Sequence, residues 1–442
     1  MRLILILILL VAAPVGALGA SWADGLCWFN YSIDGNQLAV FSIFRDSKGR
    51  NWIGSTSGLY LYDGYQSFAA TCGEWQFRAQ VYAMTEYGDR VFVAANDGLF
   101  ILDPERNSIS QANGDFPREI RSMLLIDHTL WLGSLNGLYH YDISTHTLTG
   151  PVAGMPHRAI YSLAEARDGT VYIGTYNGLS AYSPLTGAYS EVSLPRNDDS
   201  GNVFVNSMTE DSRNGKIYIG TEGALLVYDP ADCSVTAVDS FRGNSVKSLA
   251  FCNGTLVAGT DNGLVLVPDG GAAHTFRHDS RNAFSIASNV VWSVSADPLG
   301  NIWCGTETGL SIIDYNSPVR VYSLADITGK SAGQQVYSIL RDHTGAMWLG
   351  GTNGVIIIDN DGATRWFMPG NEADRLSHNR VRDIAESTAG DILVAGDGGL
   401  NIYDRRSRRF LNHRFSDRTH RLNANWAYGV LEDTADSTIW VA

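Results

Sequence analysis

Little in this sequence could hold a disulfide framework or a zinc ion. Its five cysteines, Cys27, Cys72, Cys233, Cys252 and Cys304, are odd in number and include no Cys-x-x-Cys spacing. They read as small, mostly buried apolar residues, and nothing in the sequence fixes the geometry that a Cys27–Cys72 bridge needs. Basic residues are scarce too: 32 Lys and Arg stand against 46 Asp and Glu, for a formal charge of −14. A phosphate backbone is repelled by such a chain unless a basic stripe is present. The one cluster, Arg405, Arg406, Arg408 and Arg409, follows Asp404 in what reads as a solvated hairpin turn, so no nucleic acid is expected as a partner of this segment.

No apolar run is long enough to cross a bilayer comfortably. The one candidate, residues 3–13, follows a single basic residue and precedes small residues at Gly19 and Ala20, the pattern of a secretory signal over residues 1–20. The mature chain is therefore expected to be exported. Cys27 follows Asp24, Gly25 and Leu26, which is the wrong context for a lipid anchor. A sustained helical period is absent as well, and with 45% hydrophobic residues the chain must bury its core in strands.

What the sequence does contain is a repeat. GRNWIGSTSGLYLYD (49–63), HTLWLGSLNGLYHYD (128–142), GNIWCGTETGLSIID (300–314) and GAMWLGGTNGVIIID (345–359) are copies of one stretch. Aligned on the residue that opens the second apolar run, the copies fall at Gly58, Gly98, Gly137, Gly178, Ala224, Gly263, Gly309, Gly354 and Gly399, spaced 39 to 46 residues apart. A bulky residue, Trp52, Phe92, Trp131, Tyr172, Tyr218, Val257, Trp303, Trp348 or Leu393, precedes the first glycine of each copy or the residue in its place. Four short strands per period, joined by Gly, Asn and Asp turns, describe a propeller blade. One blade cannot cover both its faces, so blades must stack round an axis with the Trp52-type residues between neighbours. Dipeptides such as Asn136-Gly137 and Asn177-Gly178 suit turns with positive φ at both positions.

These copies resemble the two-component regulator propeller repeat, best in residues 291–314 and 336–359, and match Asp-x-x-Gly-x-x-Trp-x-Gly-x-x-x-Gly-Leu almost completely. Residues 31–65 are similar to the start of the sensor regions of hybrid two-component systems of the Bacteroidetes type. The resemblance implies an all-β chain: a seven-bladed propeller over residues 28–325, then the first three blades of a second, incomplete propeller over 326–442. It further implies a periplasmic, glycan-sensing region of a hybrid histidine kinase, homodimeric in full length and anchored in the inner membrane by a downstream helix that this segment lacks.

Catalysis needs differently placed groups converging on one point. The recurrent Asp63, Asp103, Asp142, Asp229, Asp314, Asp359 and Asp404 instead occupy one turn position in every blade, and Asp46-x-x-Gly49-x-x-Trp52 is a structural pattern. Histidines 128, 140, 146 and 157 lack a ligand spacing and are expected in loops. No catalytic set, metal or cofactor is expected. Binding residues are expected in the turns between second and third strands and among aromatics outside the blade template: Asn136, Tyr176, Asn177, Asp261, Asn262, Glu307, Trp366 and Trp426, with Trp75 as a further stacking surface. The turn set contains no Lys or Arg, which suits a neutral, hydroxyl-rich sugar. The other readings are a secreted propeller glycoside hydrolase or lyase, and a non-catalytic interaction scaffold.

Overall fold

The computed structural model describes residues 26, 28–195, 203–280, 282, 284–314, 335–370, 375–414 and 422–442. They fall into two compact units, 26–314 and 335–442. The proposed signal and Cys27 lie outside the described residues.

Each repeat forms an antiparallel sheet whose strands lie in sequence order. The first is Val40–Arg45, Asn51–Ser55, Gly58–Tyr62 and Ser67–Ala69. In the first unit the innermost strands are Val40–Arg45, Val81–Tyr87, Ile120–Ile126, Ile160–Glu165, Val205–Glu210, Val246–Cys252 and Val291–Ala296. Each packs on the next, and the last packs on the first, so the described sheets close into a β-propeller.

The sequence pattern explains the stacking. Trp52 is fully buried against Val81, Val91 and Val93 of the following sheet, and Trp303 packs with Val40, Ile53 and Tyr62 across the closure. Gly54 is required where the neighbouring strand comes closest: a Cβ there would lie 2.2 Å from Ser42 Oγ and 2.6 Å from Val81 Cγ1. The Asp-x-x-Gly-x-x-Trp pattern is a clamp. The Asp46 carboxylate accepts from the backbone N–H groups of Lys48 and Arg50, from Arg50 Nε at 2.6 Å and from Trp52 Nε1 at 3.0 Å. Asp297 and Asp342 hold Trp303 and Trp348 in the same way.

Several details differ from the sequence expectation. Phe29–Tyr31 pairs with Gly309–Asp314 as the outermost strand of the seventh sheet, so the N-terminal segment helps close the ring. The hairpin Thr71–Cys72 and Trp75–Gln76 adds two strands to the second sheet. The turns between second and third strands do not take positive φ at both positions. Gly137 does, at 139°, while Asn136 does not, because Ser134 Oγ accepts from the Asn136 N–H and donates to the Gly137 carbonyl. His140 sits in the strand Gly137–Asp142, its ring 4.2 Å from that of Trp131, rather than in a loop. Of the arginine cluster, Arg406, Arg408 and Arg409 are exposed on the hairpin as expected, but Arg405, in the same turn, bonds Asp342 at 2.6 Å and Glu386 at 3.2 Å, tying two sheets of the second unit together.

The second unit contains the four-stranded sheets opening with Val336–Arg341 and Val381–Glu386, then a hairpin of Val430–Asp433 and Thr438–Val441. Trp348 is buried between the two sheets with Val381, Ile392 and Val394.

Candidate ligand-binding mouth

Every innermost strand of the first unit carries a β-bulge one residue from its start, because its pairing skips one position: Val40 pairs with Ser55 and Ser42 with Gly54, leaving Phe41 over. A bulge re-aims the extra side chain. The skipped residues are Phe41, Tyr82, Arg121, Tyr161, Asn206, Lys247 and Trp292. All seven are half-buried.

Together they form a belt. The Phe41 ring centroid lies 5.6 Å from that of Tyr82 and 5.5 Å from that of Trp292. Arg121 covers Tyr82 at 4.1 Å and Lys247 covers Trp292 at 5.5 Å, so a cation flanks each end of the aromatic arc. Across the belt, Tyr161 meets Phe204 at 4.3 Å. Acids hold the cations: Glu119 pairs with Arg121 at 2.8 Å, and Glu222 accepts from Lys247 at 3.1 Å and Asn206 at 3.2 Å. Burial pushes the Glu222 carboxyl up, but the hydrogen bond from Asn206 and the charge of Lys247 help to hold the group below the usual range. Burial pushes the Tyr82 and Tyr161 hydroxyls up, so both keep their protons. The turns between second and third strands sit on this same face: the N–H groups of Asn96, Leu135 and Tyr176 donate to the carbonyls of Gln80, Glu119 and Ala159, just ahead of the innermost strands. Aromatic faces beside amphoteric acid–base pairs can stack an apolar ring face and exchange hydrogen bonds with hydroxyl groups.

Among known proteins, the two-component regulator propeller family model matches residues 154–177. Two crystal structures of the extracellular domain of BT4673 from B. thetaiotaomicron, described as a putative hybrid two-component system and as a putative one-component system, share 36% identity with this chain at a TM-score of 0.63. The similarity covers 94% of this chain and 57% of that domain, so the chain spans little more than half the length of these relatives. The chain carries the two-component regulator propeller repeat. The extracellular domain of BT3049, a putative hybrid two-component system of the same organism, shares the fold at 19% identity and a TM-score of 0.57, over 94% of this chain and 70% of that one. No curated protein matches the sequence.

In this propeller-repeat chain the residues expected to bind ligand are dispersed. Glu307 reaches the belt, accepting a hydrogen bond from Trp292 Nε1. Tyr176 lies beside it, with its ring 5.3 Å from both His157 and Phe204. Asn177 is held by Thr175 Oγ1, Asn262 by Thr260 Oγ1, and Asp261 accepts from the Ser245 N–H; with Asn136 they shape turns on the mouth's rim. Trp366 and Trp426 belong to the second unit. Trp366 packs on Leu349 and Ile356 and donates to the Asn353 carbonyl, while Trp426 is exposed. Trp75, also exposed, sits on the added hairpin of the second sheet.

The belt itself escaped the sequence reading, although its signal was there. In each copy one residue follows the buried Val or Ile that opens the innermost strand, and its type varies widely while the next position is Ser in all but one: VFS, VYA, IRS, IYS, VNS, VKS, VWS. The second unit repeats the device with Tyr337 and Arg382, the guanidinium lying 5.6 Å from the Tyr337 ring and 5.0 Å from that of Tyr428.

Proposed function

We propose that this chain is the ligand-sensing, extracellular part of a hybrid two-component system, and that its first propeller takes an oligosaccharide at the mouth formed by Phe41, Tyr82, Arg121, Tyr161, Asn206, Lys247 and Trp292. The observation that carries the sensor role is the 36% identity to BT4673 along 94% of the chain. The aromatic arc, flanked by paired charges, supports the sugar, since stacking and bidentate hydroxyl recognition are what such a surface offers.

The sensor binds without turnover. The repeated carboxylates are engaged in holding turns: Asp63 accepts from the Tyr65 and Gln66 N–H groups, Asp103 from Glu105 and Arg106, and Asp404 from Arg406 and Ser407. Among the described residues no helix is long and apolar enough to cross a membrane. The proposed placement is periplasmic, with the membrane helix and kinase encoded downstream and the full sensor a homodimer. In the same reading the second unit is the start of a second propeller. Reading the gene past residue 442 tests the assignment: a membrane helix followed by kinase motifs is expected, and a stop codon soon after the tenth repeat sinks it.

A further inference from the structure

The mouth's rim consists of two sets of loops, and the turns between second and third strands are only one of them. The other set leads into the innermost strands, and it carries the cations. On three successive sheets these loops present an exposed arginine, Arg78, Arg118 and Arg158, and Arg242 does so on the sixth. Among the described residues none of the four has a carboxylate within ion-pair distance.

The opposite face of the same propeller behaves differently. There Lys48 and Arg50 pair with Glu105, Arg90 and Arg106 with Asp103, Arg167 with Glu210, and Arg213 with Asp211. With 46 acidic residues against 32 basic ones, carboxylates are in surplus, and pairing is the expected fate of a surface arginine. Arginines left open on one face, beside an aromatic belt, are the exception.

Three acids beside the belt are occupied. Glu119 is held by Arg121, Glu222 by Lys247, and Glu307 by Trp292. Asp97 and Asp115, near Arg78 and Arg118 in sequence, are exposed and form no ion pair. The half of the rim over the second to fourth sheets offers three exposed arginines, on the loops that lead into the strands carrying Tyr82, Arg121 and Tyr161. A guanidinium's planar fork matches carboxylate and sulfate oxygens.

The geometry points to an acidic sugar as the ligand of this mouth, its ring against Phe41, Tyr82 and Trp292 and its carboxylate or sulfate on the arc of Arg78, Arg118 and Arg158. This rests on the reading of the mouth as the ligand site. It departs from the neutral sugar suggested by the cation-free turns, because those turns are only half of the rim.

The test is calorimetry on the whole chain with three probes: an oligogalacturonate, a sulfated chondroitin oligosaccharide and a neutral xylo-oligosaccharide. Variants are Arg118→Ala and Arg158→Ala on the rim, Phe41→Ala in the belt, and Arg106→Ala on the opposite face. An acidic probe is expected to bind, to lose affinity as salt rises, and to weaken about tenfold or more in either rim variant, with no change in Arg106→Ala. Whether the carboxylated or the sulfated probe binds names the anion, and either supports the proposal. Binding of neither overturns it. Binding of the neutral probe that survives both rim variants but is lost in Phe41→Ala overturns the acidic class and leaves the mouth standing. Binding insensitive to Phe41→Ala and to both rim variants overturns the mouth reading as well. Salt-dependent capture of a single-stranded oligonucleotide through the same arginines, in place of any sugar, also counts against the proposal.

Discussion

The hydroxyl of Ser293 donates to the carbonyl of Val40 across 3.3 Å, joining the last sheet of the first propeller to its first. The same bond runs from Ser42 to Val81 at 3.3 Å and from Ser162 to Val205 at 3.4 Å, so the closure repeats an ordinary contact between neighbours. Gly305 makes the closure possible: a Cβ there would lie 2.2 Å from Ser293 Oγ and 2.5 Å from the Val40 carbonyl oxygen. Gly305→Ala is expected to cost about 1–3 kcal/mol through overpacking, and Gly54→Ala, where a Cβ would meet Ser42 Oγ and the Val81 side chain, a similar amount. Urea denaturation of both variants checks this; a loss confined to Gly54→Ala would mean that the closure is looser than the other contacts.

The Asp clamp should matter more than its place in a turn suggests. Asp297 accepts from the Leu299 and Asn301 N–H groups, the Asn301 side chain and Trp303 Nε1. Removing it in Asp297→Ala leaves those donors short of a partner and is expected to destabilise by about 1–3 kcal/mol. Asp63→Ala, at an exposed hairpin, should cost clearly less. Equal losses in the two variants would remove the distinction between clamp and turn.

Stability should fall on the acid side in two steps. Burial pushes the Asp46, Asp297 and Asp342 carboxyls up, but hydrogen bonds from the clamped groups outweigh it and hold all three below the ordinary 3.8. Their contribution is complete above that value and is lost as pH falls towards the folded-state values, because the unfolded chain takes up protons first. Burial alone pushes His140 below its ordinary 6.5, so the unfolded chain also gains a proton there as pH drops under 6.5, and stability falls in that earlier range. Melting temperatures across pH, with His140→Gln and Asp342→Asn, separate the steps: the first variant should flatten the early loss and the second part of the later one.

Residues 26–318 should fold alone, because their innermost strands form a closed ring. Residues 319–442 should not, since their sheets leave Leu431 and Trp440 exposed at 65% and 63%. Expressing each piece separately tests the division. A monomeric, cooperatively unfolding 319–442 piece would contradict it.

Much of the fold was legible because its determinants are local and repeated. Trp52, Gly54 and Asp46 recur at fixed spacing, and each has a physical task within its own sheet or against the next. The strand Phe29–Tyr31 was not legible as the closing strand, since its partner lies some 280 positions on, at Leu310 to Ile312, and a three-residue strand has no period to read. The belt was hidden for a different reason. Simple alternation cannot say where residue 41 points, because a bulge resets the alternation. The turns drew attention instead, and most of their polar residues, Asn177 and Asn262 among them, are occupied in shaping the turn.

The most direct measurement of the central claim, that the mouth of the first propeller binds a sugar without altering it, is titration of the chain with an oligosaccharide panel, repeated on Phe41→Ala and Trp292→Ala with chromatography of the sugars afterwards. The account predicts that at least one sugar binds, that each substitution weakens it about tenfold or more through the lost stacking surface, and that every sugar is recovered intact. Unchanged affinity in both variants, or cleavage of any sugar, would contradict it.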